Sequence, residues 1–222
     1  MVYRRTENVV RRLAARHDAI IEAAHALAAE GGMGAVQIAA VADRAGIAAG
    51  TVYRYFPSKT DLVAALVASV SEVEIGAIRK AAKAAPGPLS ALAAAVTTFA
   101  ARALRQRRLA WALIVEAVDA DLEKKRLPFR RALAAEFETL LAAAIVAKAL
   151  PEQETAVAAP ALVGALLEGL AGPLAAAPVD APKTRDTVQT LALFVLRAAG
   201  VVDALARGLV VQTALPAADA PL

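Results

Sequence analysis

The chain has 222 residues, enough for one large or two modest domains, with a formal net charge of +4 and a sequence pI of 9.6. Hydrophobic residues make up 59% but aromatics only 4%, so the core must be built from Ala, Leu and Val, a composition that favours helix throughout. There is no cysteine, which excludes disulfides, thiolate metal sites and a thiol nucleophile and fits a reducing cytoplasm, the expected location.

Residues 1–8 read as a basic arm that either follows DNA phosphates or remains a disordered tail. Arg4, Arg5, Arg11 and Arg12 precede any apolar run, so no signal peptide is expected. A first helix is predicted over 9–30, with Leu13, Ile20, Ala24, Leu27 and Ala28 as its buried stripe. Gly31-Gly32-Met33-Gly34 ends it. His17 and His25 have no acidic cluster beside them and read as ordinary helix residues rather than metal ligands, with His17 a further candidate for a phosphate contact.

The next stretch organises the rest. Residues 37–45 carry Ile38, Val41, Ala42 and Ala45 at helical spacing, and Gly46 permits the positive φ that ends a helix sharply. A second short helix over 50–56 puts Val52 and Phe56 on one face, and Pro57 stops it. Ser58-Lys59-Thr60-Asp61 reads as a capping box opening a longer helix to about residue 84. Short helix, glycine turn, short helix is the helix-turn-helix pattern, in which the first helix braces the second in the DNA major groove. Thr51 and Arg54 suit base edges, while Tyr53, Tyr55 and Lys59 offer hydroxyls and a cation to phosphates. The alternative is a helical hairpin in a core with some solvated charge. Residues 1–59 hold eight Lys/Arg against five Asp/Glu, a net of +3, so most of the excess charge lies with this segment.

The residues AAHALAAEGG, then QIAAVADRAGIAAGTVYRYFPSKTDLVAAL, resemble the N-terminal DNA-binding domain of the TetR family of bacterial transcriptional regulators over residues 14–66, roughly a quarter of the chain. The segment around AGI-x-x-GT-V-Y-R-Y-F-x-S-K-x-x-L is the most diagnostic part. The resemblance implies a three-helix DNA-binding domain at 1–62, with helix 4 as a connector to about residue 84, and a helical ligand-binding and dimerisation domain at 63–222. Carried onto this sequence, the DNA-binding set is Gln37, Arg44, Ala49, Thr51, Tyr53, Arg54, Tyr55 and Lys59. One departure is Ala48, where the family usually has a Ser or Thr cap, a loss of roughly 1 kcal/mol at the recognition helix.

Beyond helix 4, Pro86-Gly87-Pro88 marks a corner. It also interrupts the longest uncharged run, 84–101, and a spanning helix needs about 20 strongly apolar residues, so no membrane partner is expected. Helices are predicted over 89–105 and from 107, where Leu109, Trp111, Leu113, Ile114 and Val115 suggest a central, buried element. Residues 119–128 read as a charged connection, and Pro128 as the start of a helix to about residue 150 that carries Phe129, Leu133, Phe137 and Leu141. Two more helices follow. One runs from Pro160 to about residue 177, or from further upstream if 152–159 is helical, and the other covers 184–199 with Gly200 as its cap. Residues 201–222 read as a tail, packed at most near 209–211.

No Gly-rich phosphate loop, G-x-S-x-G elbow or clustered acid set is present, so no enzyme, cofactor or metal site is expected. The family resemblance implies an effector pocket in the C-terminal domain and pairing of the last two long helices in a homodimer. Phe99, Trp111, Glu116 and Phe137 are the candidate pocket residues, with plain core packing of the aromatics as the alternative. Gly164, Val188, Leu191 and Val195 are the candidate dimer face. The expected protein is an all-α, TetR-like repressor that leaves a palindromic operator when a small molecule binds and helix 4 carries the change. An activator of the same family, a helical ligand-binding or scaffold protein with a vestigial helix-turn-helix, and an amphipathic membrane-surface protein are the rivals.

Overall fold

The computed structural model describes residues 2–116, 120–172, 175 and 180–216. Among these there are ten α-helices, one 3-10 turn and no strand. The helices are α1 Val2–Gly31, α2 Ile38–Arg44, α3 Ala49–Tyr55, α4 Lys59–Ala84, α5 Pro88–Arg105, α6 Arg107–Ile114, α7 Ala120–Val146, α8 Thr155–Ala171, α9 Ala181–Ala198 and α10 Asp203–Gln212, with the 3-10 turn at Met33–Ala35.

α1 to α3 and the start of α4 share a core of Ile20, Ala24, Ala28, Val36, Val41, Val52, Phe56 and Leu62. α4 leaves this core and packs on α5 and α7, so the expected boundary at residue 62 falls inside a continuous helix. The centre of the larger helical layer is α5. Leu92, Ala93, Ala95, Val96, Phe99 and Ala100 are all buried, because alanines let neighbouring helices approach from every side. α6 is less central than expected, and its Trp111 is only half-buried.

Four segments differ from the sequence expectation. The arm at 1–8 is helical from Val2 and continuous with α1. From residue 120 the charged connection expected at 119–128 is the start of α7, which runs through Pro128, while residue 119 lies outside the described residues; Asp121 and Glu123 lie in the first turn, where negative charge suits the helix dipole. The charge at Arg126 is buried for a reason: its guanidinium donates to Ala112 O at 2.6 Å and Glu116 O at 2.8 Å, satisfying carbonyls that α6 leaves orphaned. Arg130, one turn on, donates to Ile114 O at 3.0 Å. α7 stops at Val146, before residue 150, in a turn where Lys148 holds φ +56° and the N–H groups of Lys148 and Ala149 return to Ile145 O and Ala144 O. The tail contains α10, whose Ala206, Leu209 and Val210 are buried, and Asp203 at its start binds Arg197 of α9 and Arg207.

The cap of α4 matches the sequence. Ser58 Oγ accepts the Asp61 N–H at 3.1 Å and donates to Asp61 Oδ2 at 2.7 Å. α8 begins upstream at Thr155, capped by Glu154, and carries Pro160 inside it.

Candidate nucleic-acid interface and effector cleft

The turn between α2 and α3 follows from Gly46, whose φ of +64° few side chains tolerate. Its N–H donates to Asp43 O and that of Ile47 to Ala42 O, which closes α2 and aims the chain into α3. Val52 of α3 packs inward against the buried Ile38, Val41 and Ala42. The same rotation turns Ala49, Tyr53 and Arg54 out to solvent, with Thr51 and Tyr55 half-buried at the edges. Ala48 at the cap makes no side-chain hydrogen bond, as its methyl requires. Lys59 is exposed at the first turn of α4.

Two of the expected DNA-binding side chains are engaged inside the protein. Gln37 Nε2 donates to Gly34 O at 2.9 Å. Arg44 forms a bidentate pair with Glu30 at 2.6 and 2.7 Å, tying the end of α2 to the end of α1. That hydrogen-bonded pair holds the Glu30 carboxyl below its ordinary range and raises Arg44. The outward set that remains is Ala49, Thr51, Tyr53, Arg54, Tyr55 and Lys59. His17 lies behind this face, its ring 5.2 Å from Phe56 and 6.4 Å from Tyr55.

The four candidate pocket residues are not brought together. Phe99 lines a cleft of about 40 Å³ with Val70, Glu74, Arg102, Leu109 and Leu113. Phe137 is fully buried core, and Trp111 stands under the Arg108 guanidinium, 5.1 Å from its ring. Glu116 does not face a wet cavity: it accepts the backbone N–H of Met33 at 2.9 Å and of Gly34 at 3.3 Å, which supply the partners a carboxylate needs. Arg108 Nη2 donates to Gly31 O at 3.1 Å, so α6 and Glu116 just beyond it grip both sides of the turn that follows α1. The polar feature of the cleft is one that sequence reading missed. Arg102 on α5, 9% exposed, donates to both carboxylate oxygens of Glu74 on α4 at 2.8 and 2.9 Å.

The candidate dimer face also needs correction. Val188 and Val195 are buried within the subunit, and Leu191 packs over Gly169, where a Cβ would stand 2.8 Å from Leu191 Cδ2. Gly164 is exposed with open space around it. The large apolar groups that do face out on these helices are Val157 on α8 and Phe194 on α9. No group of His, Cys, Asp and Glu fit to hold a metal occurs among the described residues, and no helix among them is long and apolar enough to cross a membrane.

Residues 20–66 match the family model of bacterial regulatory proteins, tetR family. The helix-turn-helix domain belongs to the TetR family. Its sequence is 49% identical over 67 residues to the HTH-type transcriptional repressor KstR of Mycobacterium tuberculosis, covering 30% of each chain. To KstR of Rhodococcus jostii it is 53% identical over 53 residues, covering 24% of this chain and 25% of that one. These matches thus span less than a third of the relatives' length. The TetR-like fold extends further than the sequence likeness. RolR in complex with resorcinol superposes with a TM-score of 0.69 at 22% identity, covering 93% of this chain and 98% of that one. FadR of Bacillus subtilis in complex with stearoyl-CoA superposes with a TM-score of 0.68 at 21% identity, covering 83% and 98%.

Proposed function

We propose that this protein is a cytoplasmic, homodimeric transcriptional repressor that binds a palindromic operator through α3 and leaves it when a small molecule occupies the C-terminal domain. The observation that carries the reading is the outward face of α3. Tyr53 and Arg54 are exposed on a helix fixed by the Gly46 turn, and Lys59 is exposed just beyond them. Arginine at such a position matches a guanine edge, and lysine beside a helix start matches phosphate. KstR, similar in this domain, is named a transcriptional repressor, which favours repression over activation.

The functional division falls within α4, near residue 62, because the first turns of α4 serve the DNA-binding core and the remainder serves the α5–α7 layer. We assign the effector to the cleft between α4, α5 and α6, where an apolar lining surrounds the Arg102–Glu74 pair. At about 40 Å³ it must widen to take a ligand, and α6 is the element whose movement would widen it. The same helix, through Arg108, and Glu116 just beyond its end hold the turn after α1. A ligand that binds only the widened state would therefore pull on the DNA-binding domain, as differential binding requires. FadR and RolR carry stearoyl-CoA and resorcinol within the same fold, which supports a ligand of some kind here.

The dimer is proposed to form through the outer faces of α8 and α9, centred on Gly164, Val157 and Phe194, since an exposed apolar patch closes most simply by two-fold symmetry. It would set two recognition helices about 34–36 Å apart. A selection from randomised duplexes tests the whole reading. It should return a two-fold symmetric sequence bound by a dimer; recovery of no preferred sequence would contradict it.

A further inference from the structure

The described side chains in the first half of α1 stand in solvent. Residues 7–19 are exposed without exception, and Ile20 is the first buried position. Even the apolar Val9, Val10 and Leu13 are 49%, 58% and 49% exposed. The direction of this free helix is fixed by its partners further on. His17 touches Phe56, three residues before α4 begins, whereas His25 feels the charge of Glu74, well inside α4. α1 and α4 therefore run the same way, and residues 2–16 continue past the N-terminus of α4, on the side of Lys59 and the end of α3. At 1.5 Å per residue they extend about 22 Å.

The charge on this projection is concentrated. Residues 2–19 hold five arginines, at 4, 5, 11, 12 and 16, against Glu7 and Asp18, a net of +3 of the whole chain's +4. Arg12 and Arg16 lie one helical turn apart on one face, with a rise near 6 Å, which is close to two phosphate steps of about 3.4 Å along one strand. Neither forms an ion pair within the protein among the described contacts, unlike Arg44, which is held by Glu30.

We propose that the projecting half of α1 is a second DNA-contacting element, in which Arg12 and Arg16 hold phosphates of the duplex flanking the half-site read by α3. The inference rests on the DNA-binding reading above. It makes the bound site longer than the half-sites themselves and makes affinity more salt-dependent than the α3 and Lys59 contacts alone would.

The test uses the full chain, its Arg12→Ala/Arg16→Ala variant and Arg12→Lys/Arg16→Lys. The probes are two duplexes carrying the sequence that the wild-type protein selects from a randomised library. One ends two base pairs outside the half-sites and the other continues ten base pairs further on each side. Affinity is read by fluorescence anisotropy from 50 to 200 mM salt. On the long duplex, the alanine variant should lose up to four phosphate contacts per dimer, flattening the salt slope by about 3.6 and shrinking the wild-type advantage on the order of a hundredfold across that range. The lysine variant should keep most of the slope, and on the short duplex all three proteins should bind alike. Equal slopes on the long duplex would overturn the proposal. An equal loss on both duplexes would overturn the flanking placement, and loss of the dimer in sedimentation would identify a second copy of the chain as the occupant instead. A wild-type protein that selects no sequence would overturn the DNA-binding reading itself, and the inference with it.

Discussion

Glu116, just beyond α6, accepts the backbone N–H of Met33, 83 residues earlier, at 2.9 Å. Gly32 makes the approach possible: its φ is +78°, and a Cβ there would stand 2.5 Å from Glu116 Oε2 and 3.1 Å from the Arg108 guanidinium. The C-terminal layer thus holds the turn after α1 by a carboxylate on two N–H groups and a guanidinium on Gly31 O.

Gly32→Ala should break this grip. The backbone strain and the displaced carboxylate together should cost about 1–3 kcal/mol, read as a lower midpoint in urea. If the turn couples the two layers, the variant should also bind DNA with an affinity less responsive to effector. Glu116→Gln, which keeps an acceptor oxygen, should cost less. A Gly32→Ala protein as stable as wild type would show that the contact is incidental.

The Arg102–Glu74 pair joins α5 to α4 at low exposure. Glu74→Gln leaves the buried guanidinium short of its carboxylate, and one-sided removal of a buried pair costs about 3–5 kcal/mol. Glu74→Leu combined with Arg102→Met should recover much of that loss, since an apolar pair fits the lining of Val70, Phe99 and Leu113. Denaturation midpoints of the single and double variants check this; simple additivity would contradict it.

How far the sequence could be read depended on where the deciding information lay. The helix-turn-helix was legible because its punctuation is local: Gly46 must take a positive φ, Pro57 must stop a helix, and Ser58 with Asp61 must cap the next. α7 was misread because Pro128 and its neighbouring charges look like a break, whereas Arg126 is buried to satisfy carbonyls on another helix, and nothing in the local pattern shows that. The stop at Lys148 carries no glycine to announce it. On α9, Val188, Leu191, Ala192 and Val195 form the most regular stripe, yet that stripe serves the subunit core, and Phe194 beside it is what faces out. A stripe states that a face is buried, not what buries it. Glu116 was expected at a wet cavity because its partners, the Met33 and Gly34 amides, are invisible in one dimension.

The proposed dimer face predicts opposite outcomes for two neighbouring residues. Phe194→Arg, at an exposed site, should leave helicity intact and yield monomers in sedimentation. Val195→Arg, in the core, should unfold the subunit, because a buried unpaired charge is far costlier than lost packing. A stable Phe194→Arg dimer would exclude this face.

His25 gives a pH dependence. Burial opposes its charged form and lowers its pKa below the ordinary 6.5, although Glu74 and Glu22 pull the other way, and its Nε2 has no hydrogen-bond partner. Below pH 6.5 the unfolded chain binds this proton more readily than the folded one, so stability should fall as pH is lowered from 6.5 toward the folded value. His25→Gln should flatten that part of the curve. Glu30, held low by Arg44, acts in the same direction, with its loss beginning only below its ordinary 4.5, so the two effects differ in onset in a series of urea melts. An unchanged slope in His25→Gln would assign the effect elsewhere.

The central claim is that the outer face of α3 reads a DNA sequence. The most direct measurement is the affinity of wild type, Arg54→Ala and Lys59→Ala for the selected duplex and for single-base variants of it. Arg54→Ala should lose about 1–3 kcal/mol at one base pair of each half-site and cease to discriminate there. Lys59→Ala should weaken binding to every sequence alike and flatten the salt slope by about 0.9 for each phosphate contact removed. If the wild-type protein binds the selected and unrelated duplexes equally, or if the two variants change base preference in the same way, the account is wrong.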